Sequence, residues 1–212
     1  MGHMDAARLE YTESIADELR NGDTVSDARF DRVYPVHVQE SSDSHWTPIV
    51  VAKRAAQMLV VAPRSRILDV GSGAGKFCIV GALTTPGEFV GIEQRPHLAE
   101  VAQDAAKRWN VRRVSFVMGD MSRIDWRQFT GFYMFNPFYE HISEKTRIDN
   151  TIPYSNILYE RYLDTVKNKL RLAAIGTRVV TYYGFGGEMP DGYRMITREP
   201  LDCDALELWV KE

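Results

Sequence analysis

The run Ile67-Leu68-Asp69-Val70-Gly71-Ser72-Gly73-Ala74-Gly75-Lys76-Phe77 puts glycine at alternate positions straight after an apolar stretch. Glycine tolerates positive φ and carries no β-carbon, so such a loop turns sharply and lets a ligand lie against bare backbone. A helix starting there aims backbone N–H groups at an anionic group, here a carboxylate. Glu93 ends the next apolar run, Phe89-Val90-Gly91-Ile92-Glu93. A carboxylate in that position accepts both hydroxyls of a ribose. Gly119-Asp120-Met121 closes a third run, where Asp120 can accept from an adenine amino group and the Met121 amide can donate to the ring. Phe135-Asn136-Pro137-Phe138-Tyr139 closes a fourth. It sets a carboxamide among aromatic side chains.

These residues need a frame that brings four strand ends together. Arg66 to Val70, Phe89 to Glu93, Val114 to Gly119, Gly131 to Phe135 and Gly176 to Tyr183 read as strands. Lys76 to Leu83, Pro96 to Trp109 and Tyr154 to Leu172 read as the helices between them. Tyr193 to Thr197 and Ala205 to Val210 read as a closing pair around Pro200-Leu201-Asp202. Thr47-Pro48 reads as a helix start, Thr47 capping, with the helix continuing through Val51, Ala55 and Leu59 to about Val61. Asp5 to Arg20 carries apolar residues at helical spacing, and Arg29 to Ser44 reads as irregular. Alternating strands and helices predict an α/β, doubly wound, mostly parallel sheet with helices on both faces. In such a sheet ligands bind beyond the carboxyl ends, where strand order reverses. All four motifs fall at such ends.

Three nucleotide readings compete for the glycine loop. A phosphate-cradling loop needs Gly at position 70 and Ser or Thr at 77, but Val70 and Phe77 stand there. A dinucleotide fingerprint counted from Gly71 wants Gly or Ala where Lys76 stands. An acid two residues before an alternating glycine triplet is the S-adenosylmethionine pattern, and Asp69, Gly71, Gly73 and Gly75 match it in full. With Glu93 and Asp120 they resemble the first three cofactor motifs of class I S-adenosylmethionine-dependent methyltransferases. The resemblance covers about two thirds of the chain. It implies a Rossmann-like, seven-stranded sheet with a C-terminal antiparallel strand, and S-adenosyl-L-methionine as cofactor. It assigns cofactor contacts to Thr47, Asp69, Gly71, Ser72, Gly73, Gly75, Lys76, Phe77, Glu93, Gln94, Asp120, Met121 and Asn136.

Asn136-Pro137-Phe138-Tyr139 is similar to the Asn-Pro-Pro-Tyr/Phe motif of methyltransferases acting on a planar amino nitrogen, with Phe138 in place of the second proline. In that family the asparagine side chain and the proline carbonyl accept hydrogen bonds from the target nitrogen. An aromatic ring stacks on the acceptor. The resemblance thus implies catalytic roles for Asn136, Pro137, Phe138 and Tyr139 and leaves open which ring stacks. His45-Trp46-Thr47-Pro48 resembles the Thr-Pro segment that lies against the methionine part of the cofactor in amino methyltransferases. Methyl transfer to oxygen or carbon is the competing reaction, and it would call on a base such as His45, His141 or Glu140. A non-catalytic binding protein on the same fold is the other alternative; the glycine loop shows no degradation in its favour.

Composition bounds the rest. The chain has 212 residues and divides into an extension over 1–46, with Gly2-His3-Met4 resembling a tag remnant, and a methyltransferase domain over 47–212. The net charge of -3 argues against a uniformly basic nucleic-acid footprint, so DNA is an unfavourable acceptor without a partner, while protein, RNA and small molecules stay open. His37, His45 and His141 show no metal-ligand spacing. Cys78 and Cys203 make no disulfide framework and suit a reducing, cytoplasmic setting. No apolar run has the length of a membrane span.

Overall fold

A computed structural model describes residues 14–212. Gly2-His3-Met4 and most of the helix expected from Asp5 lie outside them; residues 14–21 are helical. Seven strands form one sheet: β1 (Arg66–Val70), β2 (Glu88–Glu93), β3 (Val114–Met118), β4 (Gly131–Phe135), β5 (Arg178–Tyr182), β6 (Tyr193–Leu201) and β7 (Asp204–Lys211). Their order is β3-β2-β1-β4-β5-β7-β6. The first five run parallel, and β7 pairs antiparallel with both β5 and β6. This is the seven-stranded, mostly parallel Rossmann-like sheet that the sequence predicts. Strand order reverses between β1 and β4, so a crevice opens beyond their carboxyl ends.

The strands are apolar throughout because both faces are covered. Along β1 the period of two sends Ile67 to one core and Leu68 and Val70 to the other. The first core takes α1 (Ile49–Leu59), α2 (Lys76–Thr84) and α3 (Pro96–Arg108). The second takes α4 (Asn156–Arg171), through Tyr162, Leu163, Val166 and Leu170. Every position of α2 from Lys76 to Leu83 is buried, which is why its sequence shows no polar face.

Three expectations need correction. The first helix of the domain begins at Ile49 and ends at Leu59, and Thr47 does not cap it. The Ile49 N–H donates instead to Asp27 Oδ1 at 2.9 Å, a residue no local motif could have supplied. The stretch read as irregular is a chain of short helical turns, Asp27–Phe30, Asp31–Val33, Val36–Gln39 and Ser42–His45. Their apolar residues Phe30, Val33, Tyr34 and Val38 join the first core. The closing pair is longer than expected, since β6 runs through Pro200 to Leu201. β6 is an edge strand, where a missing N–H is tolerated.

The turns Asp27–Phe30 and Asp31–Val33 are held to α2 by ion pairs on a buried lysine. Lys76 Nζ lies 2.8 Å from Asp31 and 2.6 Å from Asp27, with side-chain exposures of 2% for Lys76 and 7% for Asp31. Burial is the main cause that raises the Asp31 carboxyl above its ordinary range, against the opposing pull of Lys76. Removing one partner of a buried pair strands the other, which costs about 3 kcal/mol. Lys76→Met should therefore lower the melting temperature by about 6–12 °C. Asp27→Asn, at a half-exposed partner, should lower it far less; circular-dichroism melts check both.

Candidate functional site

The glycine loop is squeezed between two other elements. It leaves β1 at Gly71, whose N–H and that of Ser72 both donate to the Ile92 carbonyl at 3.0 Å. A β-carbon on Gly71 would sit 3.0 Å from Pro137, on the strand-end motif of β4. One on Gly73, where φ is +51°, would sit 2.4 Å from the Trp46 ring, on the extension. Glycine at these positions answers to neighbours on both sides as well as to the turn. The Trp46 indole is fixed in place by its N–H, which donates to the Val38 carbonyl at 2.8 Å.

The Glu93 carboxylate stands opposite the loop. It is buried, its Oε2 accepts from the Gly73 N–H at 3.0 Å, and its Oε1 accepts from the Arg95 N–H at 2.9 Å. A carboxylate has about four acceptor sites, so two remain for hydroxyl groups. Burial raises its pKa, and hydrogen bonding and charge from Arg95 oppose the rise. At the end of β3, Asp120 takes the Ser122 N–H at 2.7 Å on one oxygen and the Tyr162 hydroxyl at 3.3 Å on the other. Burial and then Asp120 push the Tyr162 hydroxyl up to about 12, so it stays a donor. Met121 is buried, and its carbonyl is held by the Trp126 indole at 3.2 Å.

Asn136 has φ +39°, donates its N–H to the Gly184 carbonyl at 3.0 Å and accepts from the Tyr139 N–H at 3.3 Å. A carboxamide side chain tolerates this left-handed turn better than most. Phe138 is buried and stacks on Tyr162, with centroids 5.2 Å apart. Tyr139 is 42% exposed. Of the two aromatic residues after Pro137, Tyr139 is thus the one open to an incoming molecule.

These groups enclose one crevice of about 930 Å³, open mouth included. Its walls bring together Gly71, Gly73, Glu93, Gln94, Asp120, Met121, Asn136, Pro137, Phe138 and Tyr139 of the expected site. The remaining expected residues stand behind the wall. Thr47 bonds the Tyr133 hydroxyl at 3.2 Å, and Phe77 stacks on that ring at 3.9 Å. Asp69 accepts from the Cys78 thiol at 3.5 Å. Ser72 is buried, Gly75 opens α2, and Lys76 belongs to the ion pairs of the extension. The crevice also takes in His45, Arg95, Ile148 and Tyr162. Of these only His45 carries a signal in the sequence, its place beside Trp46. Arg95, Ile148 and Tyr162 sit in segments whose local pattern gives no hint of a site.

A nucleoside with a sulfonium-linked amino acid fits this cradle. Gly71, Gly73, Glu93, Asp120 and Met121 all line the crevice that would receive it. Residues 62–150 match the family described as Methyltransferase domain. No curated protein matches the chain. Among solved structures, an RNA methyltransferase from Salinibacter ruber in complex with S-adenosyl-L-homocysteine is 24% identical, with 78% of this chain and 92% of that one aligned at a TM-score of 0.56. TrmN from Thermus thermophilus is 17% identical at a TM-score of 0.60; the alignment covers 82% of this chain and 52% of TrmN, about half its length. A single-residue variant of MtNAS in complex with S-adenosylmethionine is 14% identical at a TM-score of 0.57, with 96% of this chain aligned.

Two outcomes follow for the loop. Gly73→Val places a side chain in the Trp46 ring at a strained φ and should abolish binding of S-adenosylmethionine in calorimetric titration. Asp69 is pushed up to about 7, chiefly by burial. An acid raised on folding holds its proton more tightly in the folded state, so its contribution is full below pH 4 and is lost as pH rises toward 7. Asp69→Asn should therefore flatten the fall in urea-unfolding stability between pH 5 and 8; an unchanged slope would assign that fall to other groups. Over residues 62–150 the chain matches the methyltransferase-domain family, and its seven-stranded sheet has the fold of a solved methyltransferase.

Proposed function

We propose that the chain transfers methyl to a nitrogen, on a protein side chain, a nucleobase or a small amine. The observation that carries this reading is the placement of Asn136-Pro137 on the crevice wall, with Pro137 against Gly71 of the cofactor loop. When bound, the cofactor supplies a methyl group on a sulfonium. Asn136 and the Pro137 carbonyl accept hydrogen bonds from the target N–H groups and so hold the nitrogen lone pair toward that methyl. Tyr139 covers a planar acceptor. Glu93, Asp120 and Glu140 face the crevice with Arg95 as the one cation among its lining residues, which suits a neutral or cationic nitrogen. The same reading takes 47–212 as the catalytic domain, 1–46 as its extension and a reducing cytoplasm as its setting. Among the described residues no helix is long and apolar enough to cross a membrane.

A second reading, methyl transfer to oxygen, draws on His45. Its ring lines the crevice, and burial holds its pKa below the ordinary value, so it is a neutral base at pH 7. The two readings part on mutation. Under nitrogen transfer, Asn136→Ala removes label transfer from radiolabelled cofactor to lysate fractions by about 100-fold or more, and His45→Ala has a small effect. The reverse pattern overturns the nitrogen reading. Separating the labelled lysate into protein, RNA and small-molecule fractions names the acceptor class.

A further inference from the structure

We infer that Arg95 is a positioning residue: it fastens the segment after the Asn-Pro-Phe motif to the carboxylate that meets the cofactor ribose, so that the two halves of the crevice settle together. The inference rests on the methyl-transfer reading above. Arg95 follows β2, and its side chain is 2% exposed. Its backbone N–H holds Glu93 Oε1 at 2.9 Å, and its Nη1 lies 3.7 Å from the same oxygen. Nη1 donates to Glu140 Oε1 at 2.9 Å, and Nη2 donates to Glu140 Oε2. Nε donates to Asp149 Oδ1 at 3.1 Å.

One guanidinium thus gathers carboxylates from three separate stretches of chain. A guanidinium does not shed its proton, so its burial requires these partners. Its planar fork grips Glu140 with two bonds while Nε reaches Asp149, which a lysine cannot reproduce. The two distant partners shape the acceptor side. Glu140 lines the crevice next to Tyr139, and Asp149 orders the turn beyond it by accepting from the Thr151 N–H at 2.8 Å and its hydroxyl at 2.6 Å. Ile148, beside Asp149, also lines the crevice. A ligand that holds Glu93 in this geometry therefore favours the ordered form of 138–152. By linkage, the ordered form favours that ligand in turn.

S-adenosylhomocysteine is the probe. Its binding heat is measured by calorimetry, and amide hydrogen exchange is followed in the wild type and in Arg95→Met, Arg95→Lys and Glu140→Gln. In the wild type the probe should slow exchange over 138–152 by about five-fold or more. In Arg95→Met the same segment should exchange faster without the probe, and the probe should protect the glycine loop alone, with α4 unchanged. Arg95→Lys and Glu140→Gln should move the same way by smaller amounts, and they carry the test if Arg95→Met does not fold. Wild-type exchange and wild-type response in all folded variants, with binding heat intact, overturns the role of Arg95 alone. Absence of heat with the wild type overturns the methyl-transfer reading and this inference with it.

Discussion

The hydrogen bond from the Gly73 N–H to the Glu93 carboxylate, 3.0 Å long, ties the glycine loop to the neighbouring strand end. It is a charge-assisted bond in a buried place, where such bonds are strong. Trp46 presses on the loop from the extension, and Pro137 meets it from the strand-end motif of β4. The loop is therefore a junction where four segments distant in sequence agree on one geometry. Each of them contributes to the crevice, so its walls share a single backbone turn.

The sheet was legible because its signal is local. Buried parallel strands need continuous apolar runs, and the runs at 66–70 and 131–135 coincide with β1 and β4. The glycine loop, Glu93 and Asn136-Pro137 meet at one crevice because the carboxyl ends of neighbouring parallel strands converge where strand order reverses. What failed to show depends on partners far away in the chain. Thr47 has the right type for a cap, yet Asp27 takes that role and Thr47 turns to Tyr133. Residues 27–45 lack a helical period because each turn is only three or four residues long and is held by side chains of other elements. Arg95 reads as an ordinary charge before Pro96; only the folded chain brings Glu140 and Asp149 to it.

The packing of residues 27–34 illustrates how polar groups give an apolar contact its definition. Phe30 meets Trp109 edge-on at 4.5 Å and supplies apolar area. Apolar contact alone would accept several registers. Lys76 between Asp27 and Asp31 accepts only one, since displacement leaves a buried charge unpaired. The same aspartate that pairs with Lys76 also holds the first free N–H of α1. Asp27 thereby touches both the start of α1 and, beside the more deeply buried Asp31, the lysine that opens α2.

The order β5-β7-β6 has a bearing on how the molecule assembles as it is made. β6 leaves the ribosome before β7 yet has no place of its own against β5; it can join only after β7 has doubled back between them. Until then β5 is a bare parallel edge, with its backbone donors and acceptors unmatched and Val180 and Tyr182 without their later neighbours. Such an edge is the kind that recruits strands from other nascent chains. Slow synthesis of the final hairpin would lengthen that window, so yield in the cell should track translation speed over the last two strands more closely than over the first five.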